Sequence, residues 1–190
     1  MSKQLQGKRV AILATDGFEQ AELVDPRDSL REAGAKVDVV SPEFGEILGF
    51  HHLGKGEAVK VDRFLGDTDP ADYDALVVPG GLFNPDKLRT DEKALAFARH
   101  FFKAGKPVGA ICHGPWVLIN AGVVKGRTLT SVPSIRMDLE NAGASWRDEA
   151  VVVDKGLVTS RTPKDLEAFC NKLIEEFAEG RHPQQHRSAA

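Results

Sequence analysis

The sequence predicts an α/β fold with a mainly parallel sheet and helices on both of its faces. Short apolar runs at residues 9–14 (RVAILA), 36–41 (KVDVVS), 75–78 (ALVV) and 108–111 (VGAI) read as buried strands. Helical stretches with one apolar face separate them. Three of the runs stop at tight turns: Thr15-Asp16-Gly17, Pro79-Gly80-Gly81 and Cys112-His113-Gly114. Strands that alternate with helices pair in parallel through crossover connections. Ligands of such sheets bind beyond the carboxyl ends of the strands, where these three turns fall.

Each element follows from its local pattern. Residues 20–33 put Leu23, Val24, Leu30 and Ala33 on one helical face, with Gly34 as the stop and Pro26 expected to interrupt or bend the helix. Residues 44–61 are rich in Gly and His and predict a loop or hairpin excursion ending in a short strand. Residues 67–73 form a polar turn. Residues 91–104 are a helix carrying Ala94, Leu95, Ala98 and Phe102 on one stripe. Pro115 opens a helix that stops at Gly122. A strand at 128–132 and a helix at 134–142 follow, then a hairpin over 150–160 that turns at Asp154-Lys155-Gly156. Thr162 and Pro163 cap the last helix, 163–178. Residues 181–190 are polar and aperiodic, so one domain over 1–180 with a frayed tail is expected.

At 190 residues, 42% apolar and 28% charged, the chain suits one globular domain. Such a domain buries roughly 70% of its unfolded surface and needs no staple. A net charge of −3 argues against a dedicated nucleic-acid partner, which calls for clustered Lys and Arg. Residues 1–8 lack the apolar stretch of a signal peptide, and no run is long enough to span a membrane. A cytoplasmic protein with reduced thiols is the expectation. The two cysteines, Cys112 and Cys170, do not make a disulfide framework.

Free cysteines are usually buried and inert. Cys112 differs because it stands between a buried strand and a helix, flanked by the small residues Ala110 and Gly114. That is the pattern of a nucleophile elbow with sulfur in place of oxygen. The N–H groups of the following helix are expected to favour thiolate. Cys170 shares a stripe with Leu166, Phe169, Leu173 and Phe177 and is assigned to the core. Pro79-Gly80-Gly81 offers backbone N–H groups for an oxyanion hole. Glu19, at the end of the first strand, is the candidate acid whose pKa would rise if it faced Cys112 in a dry cleft. The adjacent His51 and His52 give no tetrahedral spacing with cysteine, so neither a metal nor another cofactor is expected.

Asp16-Gly17-Phe18-Glu19, residues 76–81 (LVVPGG), Lys106-Pro107 and residues 110–115 (AICHGP) together resemble the ThiJ/PfpI superfamily, over about residues 8–178. His directly after Cys matches its PfpI-like branch. The resemblance implies a flavodoxin-like sandwich, of the class I glutamine amidotransferase-like type, that forms a homodimer or larger assembly. It implies Cys112 as nucleophile, His113 as its partner, Glu19 as the acid beside the sulfur, and the N–H groups of Gly81 and His113 as the oxyanion hole. In PfpI-type proteases an acid from the neighbouring subunit completes a triad. The matching residue is Asp86, shorter by a methylene than the Glu found there.

The activity implied is that of a stress-protection hydrolase. Its substrate would be a small aldehyde or a glycated group (deglycase or glyoxalase chemistry on methylglyoxal-type adducts) or a peptide. The alternative class is a non-enzymatic oxidative-stress sensor or holdase chaperone acting through oxidation of Cys112. A glutamine amidotransferase needs a distant His and Glu pair, and none is evident after residue 160.

Overall fold

The four apolar runs become the middle of one twisted sheet. The computed structural model describes residues 4–188. In chain order its elements are β1 (Arg9–Leu13), β2 (Phe18–Glu19), α1 (Gln20–Glu32), β3 (Lys36–Ser41), β4 (Glu46–His51), β5 (Gly54–Lys60), β6 (Arg63–Phe64), β7 (Ala75–Val78), α2 (Phe83–Leu88), α3 (Glu92–Lys103), β8 (Val108–Ile111), α4 (Pro115–Asn120), β9 (Thr128–Leu129), α5 (Arg136–Asn141), β10 (Ser145–Trp146), β11 (Val151–Asp154), β12 (Leu157–Ser160) and α6 (Leu166–Glu179). The main sheet has seven strands in the order β11-β12-β8-β7-β1-β3-β6. Every pairing in it is parallel except β11 with β12. The α/β sandwich with a mainly parallel sheet is therefore as expected.

Alternation along the strands fills both faces. Val10 and Ile12 of β1 join Leu23 and Leu30 of α1 and Phe169, Leu173 and Phe177 of α6 in one apolar cluster. Ala11 and Leu13 point the other way, into a second cluster with Leu95, Phe97, Phe101 and Phe102 of α3 and Leu118 of α4. Phe101, Phe102, Phe169 and Phe177 are almost wholly enclosed. Burial of that kind stabilises by about 1.5–3 kcal/mol per large apolar side chain. Helix α1 continues without interruption across Pro26. Proline removes one intrahelical hydrogen bond, but buried Leu23, Pro26 and Leu30 hold the helix on the sheet.

The excursion at 44–61 is the β4–β5 hairpin, which pairs with β2 in a small second sheet. Buried Gln20 fixes it, accepting the Glu57 N–H at 3.0 Å. The tail is not frayed where it is described. The His182 N–H donates to the Gly105 carbonyl at 2.7 Å. Buried Arg127 donates to the Gln185 carbonyl at 3.0 Å, and the Gln185 amide donates to the Lys106 carbonyl. Polar sequence without periodicity gave no sign of this, because its anchors are backbone groups of distant turns. Residues 189–190 of the expected tail, and residues 1–3 of the polar N-terminus, lie outside the described residues. No helix among the described residues is long and apolar enough to cross a membrane.

Candidate active site

The turns after β1, β7 and β8 converge at the carboxyl edge of the sheet, around Cys112. Cys112 has φ +61°, a left-handed conformation that costs a side-chain-bearing residue energy and persists only where neighbours impose it. They do so here. Its N–H donates to the Ser160 carbonyl of β12 at 3.1 Å, and its carbonyl accepts the Val132 N–H at 3.1 Å. Two glycines let the chain pass this closely. A Cβ on Gly114 would lie 2.6 Å from the Val78 carbonyl oxygen, and one on Gly80 would lie 2.7 Å from Cys112 Cβ.

The acid beside the sulfur is Glu22, not Glu19. Glu22 is fully enclosed in the first turn of α1, and its Oε2 accepts the Gly80 N–H at 2.9 Å. Its Oε1 is sealed from solvent and has no hydrogen-bond partner among the described residues. The sulfur lies near enough to perturb the carboxyl, but not in line for a well-formed hydrogen bond. Burial pushes the Glu22 pKa up to about 8, the Glu19 charge adds to this, and the Cys112 thiol and the N–H groups of Gly80 and Gly81 oppose it. Glu19 sits on β2, where its Oε2 accepts the His52 N–H at 3.0 Å at the cleft edge. The switch from strand to helix at Gln20 turns the next acid inward. Glu22 lies one helical turn before Pro26 and beside Leu23, both buried, and that helical phase could have pointed to it.

Burial also raises the thiol of Cys112 above its ordinary range, and ionised Glu22 raises it further. The N–H groups of His113 and Gly81 pull it down. The expected net lowering by the following helix is thus outweighed. Helix α4 is only six residues long, and the low-dielectric wall acts more strongly than its field. Protonation of Glu22 reverses its influence, because a carboxylic acid donates to a thiolate where a carboxylate repels it. Below about pH 8 the acid form prevails.

His113 Nδ1 is 3.3 Å from Sγ of Cys112. Its Nε2 is 3.4 Å from Ser134 Oγ, and its ring centroid is 5.0 Å from that of Trp116. Burial lowers the imidazole pKa, which favours the neutral ring. Asp86 is exposed on α2 and is not among the residues that line the cleft around Cys112. Asn84, which sequence reading passed over, is fully buried and ties two of the turns together. Its Oδ1 accepts the Thr15 N–H at 2.8 Å, and its Nδ2 donates to the carbonyls of Pro79 and Gly80 at 3.0 and 3.1 Å. Its only signal was an amide next to Leu82-Phe83, just after Pro-Gly-Gly.

The cleft has a volume of about 900 Å³. Glu22, Cys112, His113 and Gly81 lie in it, Phe50, Leu53, Leu82, Phe83 and Val132 give it apolar walls, and Glu19 and Lys164 also line it.

Residues 8–176 match the model of the DJ-1/PfpI family. The chain belongs to the DJ-1/PfpI family. It is 49% identical over 163 residues to "Putative cysteine protease YraA" of Bacillus subtilis (strain 168), covering 85% of this chain and 94% of that one. It is 48% identical over 169 residues to "Protein/nucleic acid deglycase 2" of Escherichia coli (strain K12), covering 88% and 96%. Among solved structures it is similar to Drosophila melanogaster DJ-1beta, with a TM-score of 0.82 at 30% identity over 96% of this chain and 95% of that one. In this DJ-1/PfpI chain the motif of residues 16–19 thus supplies the cleft edge, while the buried acid comes from the first turn of α1.

Proposed function

We propose that the protein is a cysteine-dependent deglycase that removes methylglyoxal-type adducts from nucleophilic groups in a stress-protection role. The observation that carries this is the strained Cys112 elbow, opening on a cleft with an enclosed acid and two backbone N–H groups beside the sulfur. Relatives at 45–48% identity are named deglycases.

Sγ of Cys112 adds to a carbonyl carbon of the adduct, and the N–H groups of Gly81 and His113 receive the developing oxyanion. Neutral His113 takes the thiol proton through Nδ1. Glu22, protonated at neutral pH, stabilises the thiolate before attack. Overall, water is added and the amine or thiol of the adduct leaves. One dicarbonyl carbon is oxidised to a carboxylate as its neighbour is reduced to a carbinol, so no external oxidant is needed. In a homodimer, Asp86 of one copy reaching His113 of the second would complete a triad. A peptidase activity depends on that contact, since Asp86 does not line the cleft of its own chain.

A second reading rests on Glu22 Oε1, which lacks a partner. Oxidation of Cys112 to sulfinate would place an oxygen beside it, as a redox sensor or chaperone switch requires. The deciding experiment measures lactate formation and adduct loss for wild type and Cys112→Ser, alongside a peptidase panel and an aggregation assay. Lactate release by wild type and none by Cys112→Ser supports the deglycase. Equal rates in both, or peptide cleavage alone, overturn it.

A further inference from the structure

Glu19 is a carboxylate at the cleft that pairs with no cation among the described residues. One oxygen, Oε2, is engaged by the His52 N–H. The other makes no hydrogen bond, and Glu19 forms no ion pair among the described residues. It is not the acid of the reaction, because Glu22 occupies that place. Glu22 is sealed and holds its proton to about pH 8, so at neutral pH Glu19 is the anionic carboxylate of the cleft. Apolar walls around it raise the strength of any charge contact made there.

We propose that Glu19 is a specificity-determining residue that receives the cationic group of the substrate. The preferred substrates are then adducts of arginine side chains, not the free dicarbonyl or the neutral cysteine adduct. This rests on the deglycase reading for its choice of substrate. An arginine carbinol adduct keeps its guanidinium charge, whereas the carbinolamine of lysine loses most of its basicity to the adjacent hydroxyl and carbonyl and a cysteine hemithioacetal is neutral. The cleft fits such a ligand in size. At about 900 Å³ it is near the upper end of small-molecule sites, and a free dicarbonyl would leave most of it empty. The methylene stem of a basic side chain suits the wall formed by Phe50 and Phe83, whose rings are 6.0 Å apart and tilted by 60°. Lys164, also on the cleft lining, acts against a cation and sets the sign of a second test.

The first experiment reads binding without turnover. Butylguanidinium and its neutral isostere butylurea are tested for protecting Cys112 from alkylation by iodoacetamide. Wild type should bind the guanidinium about tenfold more tightly than the urea, as a charge-assisted hydrogen bond gives. Glu19→Gln should abolish that preference, and Lys164→Met should increase it by a few-fold. The second experiment compares kcat/KM for methylglyoxal adducts of N-acetylarginine and N-acetylcysteine. Glu19→Gln should lower the arginine-to-cysteine ratio about tenfold. No guanidinium preference in wild type, or an unchanged preference in Glu19→Gln, overturns the proposal. If the preference is present but no adduct is turned over, the deglycase reading fails and the cation site stands.

Discussion

Cys112 and Cys170 are almost equally hidden, at 9% and 6% exposed, yet they occupy opposite kinds of place. Cys170 sits within α6, among Leu166, Phe169 and Leu173, with helical backbone on both sides. Burial pushes its thiol up to about 11, while Ser29 opposes this and Asp25 adds to it. Beside it is a shallow depression bordered by Asp25, Asp28, Glu32 and Glu167, which disfavours a thiolate. Cys112 is held in a left-handed turn with its sulfur facing a cleft and a protonatable acid. Burial alone therefore does not separate an inert thiol from a reactive one. The backbone conformation and the neighbour that can give or take a proton do.

The largest effect should come from the sulfur itself. Cys112→Ser should lower deglycase activity by about a thousandfold or more, and Cys170→Ala by less than about twofold. Mass mapping after brief iodoacetamide treatment should find Cys112 labelled first. Faster labelling of Cys170 would erase the distinction.

Next is the space around the elbow. In Gly80→Ala the added methyl would lie 2.4 Å from Glu22 Oε2, 2.7 Å from Cys112 Cβ and 2.9 Å from the Ile111 carbonyl oxygen. Overpacking of this kind costs about 1–3 kcal/mol and should displace the acid from the sulfur. Denaturant melts and alkylation rates should both change. A variant with unaltered stability and reactivity would show that the close packing of this turn is not what sets Cys112 apart.

The acid gives a pH signature. Glu22 holds its proton to about pH 8 when folded, against 4.5 ordinarily. Between those values the folded state binds more protons than the unfolded one, so stability falls as pH rises through the window. The loss should be of order a few kcal/mol and should be absent in Glu22→Gln. Glu22→Leu removes the carboxylate that, ionised above about pH 8, raises the thiol, so it should lower the alkylation midpoint of Cys112 by about one pH unit. It should also reduce sulfinate formation under mild peroxide. A pH-independent stability between 4.5 and 8 in wild type would contradict the buried protonated acid. The smallest effect belongs to Cys170→Ala, a loss of about 1 kcal/mol in chemical melts from one small buried group.

Most of the fold was legible because the strands are short, apolar and bounded by turn residues, and the helices carry clear apolar stripes. The elbow was legible for the same reason: a strand, a cysteine, small neighbours and Pro115 stand in sequence. Glu22 was obscured because the eye follows the turn after β1 and stops at Glu19, whereas burial depends on helical phase three residues later. Asn84 and Gln185 were hidden for a different reason. Both act through backbone groups, the distant Thr15 and the nearby Pro79 and Gly80 for Asn84 and the distant Lys106 for Gln185, and backbone partners leave no mark in residue type. The raised thiol pKa also escaped, since it depends on how dry the pocket is.

The carbonyl that anchors the Cys112 N–H comes from Ser160, nearly fifty residues downstream (160 − 112 = 48). During synthesis on the ribosome the cysteine and its elbow sequence emerge first, while the strand that must lie beside β8 has not yet been made. The left-handed turn lacks its Ser160 anchor at that stage, and the β7 edge of the sheet ends at β8. Only when β12 arrives and pairs with β8 from Val108 to Ile111 is the thiol locked into its reactive posture. Arming of the nucleophile is thereby tied to completion of the domain, so an unfinished nascent chain carries a cysteine without the conformation that distinguishes it.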